Sequence, residues 1–421
     1  MVNPGRLAAS VVIAALLILL VPAAIASPQA DPSQATQACT PSPLNPVVNS
    51  TGPFFINSSN GRFFVYTYVY SHPFVMRNGS GYTMWMTADY ETNTSLNQGI
   101  YTANSADGLH WTVRPDPVLT EGLSGSWDQG AIYSPWVVWN GSMYLMYFTG
   151  VNDTVQSRAI GVAFSKDNVH WTEYAGNPII EGGPGSYDAY WARYPSVIYE
   201  DGTYKMWYTG HTLITSAGLN VTISYATSGD GVHWAKYPGN PVFEVFLDPG
   251  YYWSEHGFVA KVAGGYVMAY DDEQNISYAY SSDGISWVQG PYPLLRAPAS
   301  GNWSNLATIF PDIMVNGSEI LLWYYGEGGP ATLTPSSEYT EGIGLAYGPL
   351  VVIPTTVTTT SVGTTTVVST TTVVSVSTTI ETTTQAATQN PELFYYQAGV
   401  VGLGVAAAAL GLLAARRTRL R

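Results

Sequence analysis

Two ionisable clusters interrupt an otherwise repetitive chain. Glu255-His256 stands before Gly257, where the other copies of the same pattern carry Ser71-His72, Tyr133-Ser134, Arg193-Tyr194 and Ile309-Phe310, so Glu255 is the one carboxylate among them. Asp271-Asp272-Glu273 closes a segment whose counterparts close with Thr87-Ala88, Thr149-Gly150, Thr209-Gly210 and Tyr325-Gly326. Folding the intervening stretch into a hairpin about Gly264 puts Glu255 opposite Glu273, with Asp271 and Asp272 a residue or two along the ladder. The same operation one copy earlier brings Arg193 and Tyr194 close to His211. Carboxylates gathered this closely push their proton affinities apart, so that one can serve as acid and another as base. The expected roles are Glu255 as general acid and Asp271 or Asp272 as base or nucleophile. Arg193, Tyr194, His211, His256, Ser134 and His72 are then expected to bind substrate. The plainer alternative is that these side chains only hydrogen-bond neighbouring repeats.

The elements that must position them come from a long internal period. Tyr82-Thr-Met-Trp-Met-Thr, Tyr144-Leu-Met-Tyr-Phe-Thr-Gly, Tyr204-Lys-Met-Trp-Tyr-Thr-Gly, Tyr266-Val-Met-Ala-Tyr and Ile320-Leu-Leu-Trp-Tyr-Tyr-Gly start 54 to 62 residues apart. Nine residues before each start stands Pro73, Pro135, Pro195, Gly257 or Pro311, opening another strand. Turns such as Trp139-Asn140-Gly141-Ser142 and Glu200-Asp201-Gly202-Thr203 have hairpin chemistry. A third strand, as in Ala159-Ile-Gly-Val-Ala-Phe, precedes a turn and a tryptophan. Four strands per unit and five units predict an all-β, five-bladed β-propeller, since no single blade can bury both faces of its sheet. Innermost strands of a propeller line its axis, so departures from the repeat should gather there.

The repeated turn residues read as scaffold. Asp107, Asp167, Asp230 and Asp283 are placed to accept backbone hydrogen bonds in their own turns, and Trp111, Trp171, Trp234 and Trp287 to fill the space between blades. His110, His170 and His233 lie about a blade apart and cannot converge on a metal. Asp128 and Asp188, each seven residues before a marker proline, are repeated as well, which favours structure over catalysis.

Among 421 residues, 29 acids against 15 bases give a net charge of −14, a surface that repels phosphate backbones and excludes nucleic acid as a partner. The aromatic content of 13% with 42 glycines and 27 prolines suits a turn-rich β protein. The lone Cys39 excludes a disulfide framework and a cysteine zinc site, and no metal or cofactor is expected.

Residues 1–26 read as a signal peptide, 27–43 as a disordered lead, 44–350 as the propeller and 351–391 as a threonine-rich stalk. Residues 392–415 read as one transmembrane α-helix and 416–421 as a basic cytoplasmic tail, so the propeller is an ectodomain and the membrane a partner through the C-terminal helix. Ten Asn-x-Ser/Thr sequons in the body, among them Asn140, Asn152 and Asn316, support an exported glycoprotein. The end segments resemble those of archaeal surface proteins, and the scarcity of ionisable side chains suits an acidic medium.

Phrases such as Tyr194-Pro-Ser-Val-Ile-Tyr-Glu-Asp-Gly-Thr-Tyr-Lys-Met-Trp-Tyr-Thr-Gly210 make the body resemble the five-bladed propeller glycosidases. That group includes invertases, levansucrases, arabinanases, β-xylosidases and the related mannoside phosphorylases. In the invertase-like branch an Asp-Pro supplies the nucleophile, an Arg-Asp-Pro the transition-state stabiliser and a Glu two residues before a strand marker the general acid. The resemblance carries these onto Ser134-Pro135, Arg193-Tyr194-Pro195 and Glu255-His256-Gly257; arginine and glutamate match, and both aspartates are absent.

Glycosidic cleavage ordinarily needs two carboxyl groups, about 5–5.5 Å apart for retention or about 6.5–9.5 Å for inversion. Either blade four supplies the second, or Tyr194 acts as nucleophile with Glu255, or the site does not hydrolyse. The expected function is therefore a cell-surface, glycosidase-like propeller with a carbohydrate ligand, Trp136, Trp191 and Trp253 being available to stack on sugar faces. The alternative is a non-catalytic carbohydrate-binding or adhesion propeller.

Overall fold

The computed structural model describes residues 39–43, 45–49, 51–57, 63–91, 96–183, 187–211, 219–247, 256–298, 303–328 and 340–350. The signal, stalk, span and tail expected from the sequence lie outside them. Among the described residues no helix is long and apolar enough to cross a membrane.

The structure is all β and follows the period. Blade one is Phe63–Asn78, Gly81–Glu91, Leu96–Ser105 and Thr112–Val113; blade two is Ala131–Trp139, Tyr144–Asn152, Ser157–Ser165 and Thr172–Glu173. Blade three is Trp191–Glu200, Thr203–His211, Leu219–Ser228 and Ala235–Lys236; blade four is Gly257–Val262, Gly265–Asp272, Asn275–Ser281 and Val288–Gln289. Each is an antiparallel meander. Blade five has Ala307–Asn316, Glu319–Gly328 and Thr340–Pro349, and its fourth strand is Thr40–Pro41 from the other end of the chain, pairing Thr40 with Tyr347 and Pro41 with Ala346.

That closure corrects the expected boundary. Residues 39–43, assigned to a disordered lead, belong to the propeller, and Cys39 is buried against Leu294 and Leu295, donating its N–H to the Leu294 carbonyl at 2.7 Å. The short run Cys39-Thr-Pro-Ser42 carries no alternation by which a two-residue edge strand could be read from sequence.

Blades lock to one another by two recurring devices. At the start of four inner strands the residue before the marker proline is left-handed: His72 (φ 49°), Ser134 (φ 53°), Tyr194 (φ 57°) and Phe310 (φ 56°). Each sits in a register shift of the inner hairpin, a bulge that re-aims the side chain and takes an N–H out of the ladder. The preceding blade supplies the missing acceptor. Thr87 Oγ1 takes Ser134 N–H at 3.0 Å, Thr149 Oγ1 takes Tyr194 N–H at 2.9 Å, and Asp271 Oδ1 takes Phe310 N–H at 2.9 Å. Just after the proline, Ser196 Oγ accepts from Val259 N–H at 2.9 Å and Asp312 Oδ2 from Val75 N–H at 2.7 Å.

The aspartate turns are scaffold, as their repetition implied. Asp107 Oδ1 accepts Leu109 and His110 N–H at 2.9 Å each, and the turns at Asp167, Asp230 and Asp283 repeat the arrangement. The tryptophan after each turn packs on the middle strand of the preceding blade: Trp111 on Trp323, Trp234 on Tyr147 and Trp287 on Trp207.

Candidate active site

The residues just before the strand markers meet at one centre. Passing from blade to blade, ring centroids of Tyr133 and Tyr194 are 5.5 Å apart, Tyr194 and His256 3.6 Å, His256 and Phe310 4.3 Å, Phe310 and His72 3.9 Å, and His72 and Tyr133 5.6 Å. All five blades contribute to this closed circuit. Four left-handed bulges aim it, because at φ > 0 the side chain leaves the strand's usual up-down alternation. In blade four Gly257 opens the described strand, whose ladder with Gly265–Asp272 is unshifted, and His256 stands just before it.

His256 is fully buried and hydrogen-bonded to Asp271, Nδ1 to Oδ2 at 2.7 Å. Asp271 stands where Thr87, Thr149 and Thr209 stand in other blades, so one oxygen does the threonine's work on Phe310 N–H and the second is free to hold the imidazole. Burial pushes the Asp271 carboxyl well above the ordinary carboxylate range, and burial with the nearby His72 and Arg193 holds His256 well below the ordinary imidazole range. Among the described residues His256 Nε2 is buried and without a hydrogen-bond partner, as is Ser134 Oγ. His72 is held down to about 3 by burial and by Arg193, and its Nδ1 lies 2.8 Å from Ser71 Oγ.

Beside this ring lies a cationic sector. Arg193 Nη2 donates to His211 Nε2 at 2.8 Å and Nη1 to Tyr194 Oη at 3.2 Å, and its guanidinium lies 4.7 Å from the Trp191 ring. His211 is fully buried, and desolvation with the charges of Arg193 and Arg158 keeps it neutral, well below its ordinary range. An arginine cannot accept, so His211 presents an unprotonated Nε2.

The structure thus brings together His72, Ser134, Tyr194, His256 and Asp271, with Arg193 and His211 adjoining them. Asp271 is 1% exposed, with one oxygen accepting Phe310 N–H and the other 2.7 Å from His256 Nδ1. Asp272, next along the strand, accepts from Ser277 Oγ of its own blade at 2.8 Å and shares no described hydrogen bond with the ring, because alternate strand residues face opposite ways. Glu255 and Trp253 lie outside the described residues. Trp136 is core, stacked 5.4 Å from Phe258 and donating Nε1–H to the Val197 carbonyl, whereas Trp191 stays half-buried beside Arg193. Asp188 is structural, holding Tyr208 Oη at 3.0 Å and Lys236 Nζ.

Phe310 and Tyr133 were not among the expected site residues. Their signal was membership of the residue pair before a marker proline, Tyr133 two places and Phe310 one place ahead of it.

Known proteins resemble this chain in sequence and in fold. The model of the glycosyl hydrolases family 32 N-terminal domain matches residues 82–208. An uncharacterized protein of Mycobacterium tuberculosis is 28% identical over 230 residues, covering 51% of this chain and 74% of its own. An A type blood N-acetyl-α-D-galactosamine deacetylase of Flavonifractor plautii is 27% identical over 172 residues, 35% of this chain and 22% of that protein. Among solved structures, a glycoside hydrolase superposes with a TM-score of 0.55 at 17% identity, covering 73% of this chain and 96% of its own. A structure from the mannoside phosphorylase family that contains glycoside hydrolases targeting β-1,2 mannosidic linkages in Candida mannan gives 0.51 at 15% identity, covering 75% and 95%. The matched family segment thus lies across blades one to three, and the chain shares its five-bladed fold with glycoside hydrolase structures over nearly their whole length.

Proposed function

We propose that the protein is a cell-surface, glycosidase-like propeller that takes an extracellular oligosaccharide or glycan at its axial ring. The observation that carries this reading is His256 Nε2, a buried polar atom of the ring with no hydrogen-bond partner among the described residues. Buried polar groups without partners cost about 1–3 kcal/mol each, and hydroxyl-rich ligands supply both donors and acceptors. Flat rings at the same place favour the apolar faces of sugars. His256, fixed by Asp271, and Arg193 would bind hydroxyls, with Glu255 as general acid.

The second reading, a carbohydrate-binding propeller without turnover, is favoured by one specific observation. The carboxyl group of Asp271 is spent on Phe310 N–H and His256, and two-carboxyl cleavage then needs a partner for Glu255 from elsewhere.

The test is an assay of the ectodomain on pentosides, fructosides and mannosides beside direct binding to the same sugars. Turnover lost in Glu255→Gln with binding retained supports the enzyme; binding without turnover in the wild type supports the second reading. Absence of both, with His256→Ala unchanged in every measurement, overturns the site. The single-pass placement, propeller outside and Arg421 inside, is tested by adding protease to intact cells. Release of the propeller supports it, and an accessible Arg421 with a protected propeller overturns it.

A further inference from the structure

Between blades two and three lies a cavity of about 280 Å³ whose walls include Trp127, Asn152, Ser157, Arg158, Glu181 and Tyr190. Arg158 is half-buried, and among the described residues it makes no ion pair; its guanidinium instead lies 4.1 Å from the Trp191 ring. An arginine without a carboxylate is unexpected on a chain of net charge −14. Trp191 is also in contact with Arg193, at 4.7 Å, and with His211, at 5.3 Å, and the charge of Arg158 acts on both His211 and Tyr194. A ladder of cation and ring therefore leads from the cavity to the axial site.

The cavity walls are built for a flat, hydroxylated ligand. Tyr190 is 46% exposed and lies 4.5 Å from Trp191. Trp127 is fixed in place, because a Cβ on Gly150 or Gly161 would come within 2.3 or 2.5 Å of its ring. The one acid among the walls named, Glu181, is exposed, so water screens its charge more than that of the half-buried guanidinium.

We propose that this cavity is a second subsite that selects an acidic sugar unit, Arg158 pairing with its carboxylate while the other units run over Trp191 to the axial ring. The proposal rests on the carbohydrate reading above and adds its substrate class. A planar guanidinium matches a carboxylate in two parallel hydrogen bonds.

The test measures binding of galacturonate and glucuronate trisaccharides, each beside its carboxyl-reduced neutral counterpart and a sulfated neutral trisaccharide. The acidic forms are expected to bind at least about ten-fold tighter than the reduced ones. Arg158→Gln should abolish that preference without weakening the neutral sugars, and Arg158→Lys should keep part of it. Tyr190→Ser, an exposed change that leaves the fold alone, should weaken acidic and neutral forms equally. Equal affinity for acidic and neutral forms, or a preference unchanged in Arg158→Gln, overturns the subsite while leaving the axial reading intact. A preference for the sulfated probe overturns the uronic acid assignment. No binding of any probe overturns both readings.

Discussion

Asp271 holds the imidazole of His256 at 2.7 Å with one oxygen and the amide of Phe310 at 2.9 Å with the other, so one side chain joins a candidate functional group to the seam between blades four and five. Thr149 at the same repeat position does only the second task. Asp271→Thr is therefore expected to keep the seam and lose the hold on His256. Its stability should stay within about 1–2 kcal/mol of the wild type, while carbohydrate binding falls. Asp271→Ala, which strands the buried Phe310 N–H as well, should cost about 1–3 kcal/mol more. Denaturant unfolding of the two variants beside a binding assay separates the tasks; equal loss of stability in both would mean that Asp271 serves the fold alone.

The buried ionisable groups also make stability depend on pH. His72 is held down to about 3 against an ordinary 6.5, and His211 and His256 are held low by the same burial and cationic surroundings. Unfolding lets these imidazoles take up protons below 6.5, so stability falls as pH drops through that value. Asp312, pushed up to about 8 by burial, and Asp271, also raised, act the other way. They stay protonated when folded and release protons on unfolding above about 4, so stability falls as pH rises toward about 8. Glu173 and Glu327, also raised by burial, add to the aspartates, so below 6.5 the histidines and the raised acids oppose one another, and above it the acids act alone. Each group contributes at most about 1.4 kcal/mol per pH unit. Stability is therefore expected to fall from about pH 6.5 toward pH 8, and Asp312→Asn should flatten that fall. Urea unfolding from pH 4 to 9 measures this, and a stability that climbs steadily through pH 8 would refute it.

What the sequence disclosed was whatever repeats. The period from Tyr82 to Ile320 named the blades, and the offset to Pro73, Pro135, Pro195, Gly257 and Pro311 named the residues that converge. Departures from the pattern were legible as positions but not as roles. Asp271 was visible as an acid in a threonine's place, yet whether its oxygens face a cavity or a backbone amide depends on the Phe310 bulge of the next blade, some forty residues on. The pairing of Thr40–Pro41 with Thr340–Pro349 was hidden for a related reason. A closing strand is chosen by ring geometry across the whole chain, and two residues carry no periodicity.

That closing strand makes Cys39 a reporter of the intact ring. Its side chain is 1% exposed, and burial pushes the thiol up to about 12, so thiolate is scarce at neutral pH. A maleimide should label it negligibly in the native protein and fully in urea. Deleting residues through Pro43 leaves the edge strand Thr340–Pro349 unpaired at Ala346 and Tyr347, and should cost on the order of a few kcal/mol. Rapid labelling of the native protein, or a truncation as stable as the full chain, would show that the ring does not depend on this strand.

The sequons should not be equally occupied, because some of them do structural work. Asn140 donates Nδ2–H to Tyr204 Oη at 2.9 Å and accepts Ser142 and Met143 N–H at 3.0 Å each, completing the turn between the first two strands of blade two. Asn152 donates to the Ser126 carbonyl at 3.0 Å and accepts Thr154 N–H at 3.0 Å. A glycan on either nitrogen would have to displace those contacts. Asn316, exposed at the end of its strand, offers only its Oδ1 to Arg77, at 3.0 Å. Peptide mass spectrometry of the protein expressed in a glycosylating host should find Asn316 occupied, with Asn140 and Asn152 bare. The reverse pattern would mean that the sugar is added before these turns close, and that the turns form without the asparagine amides.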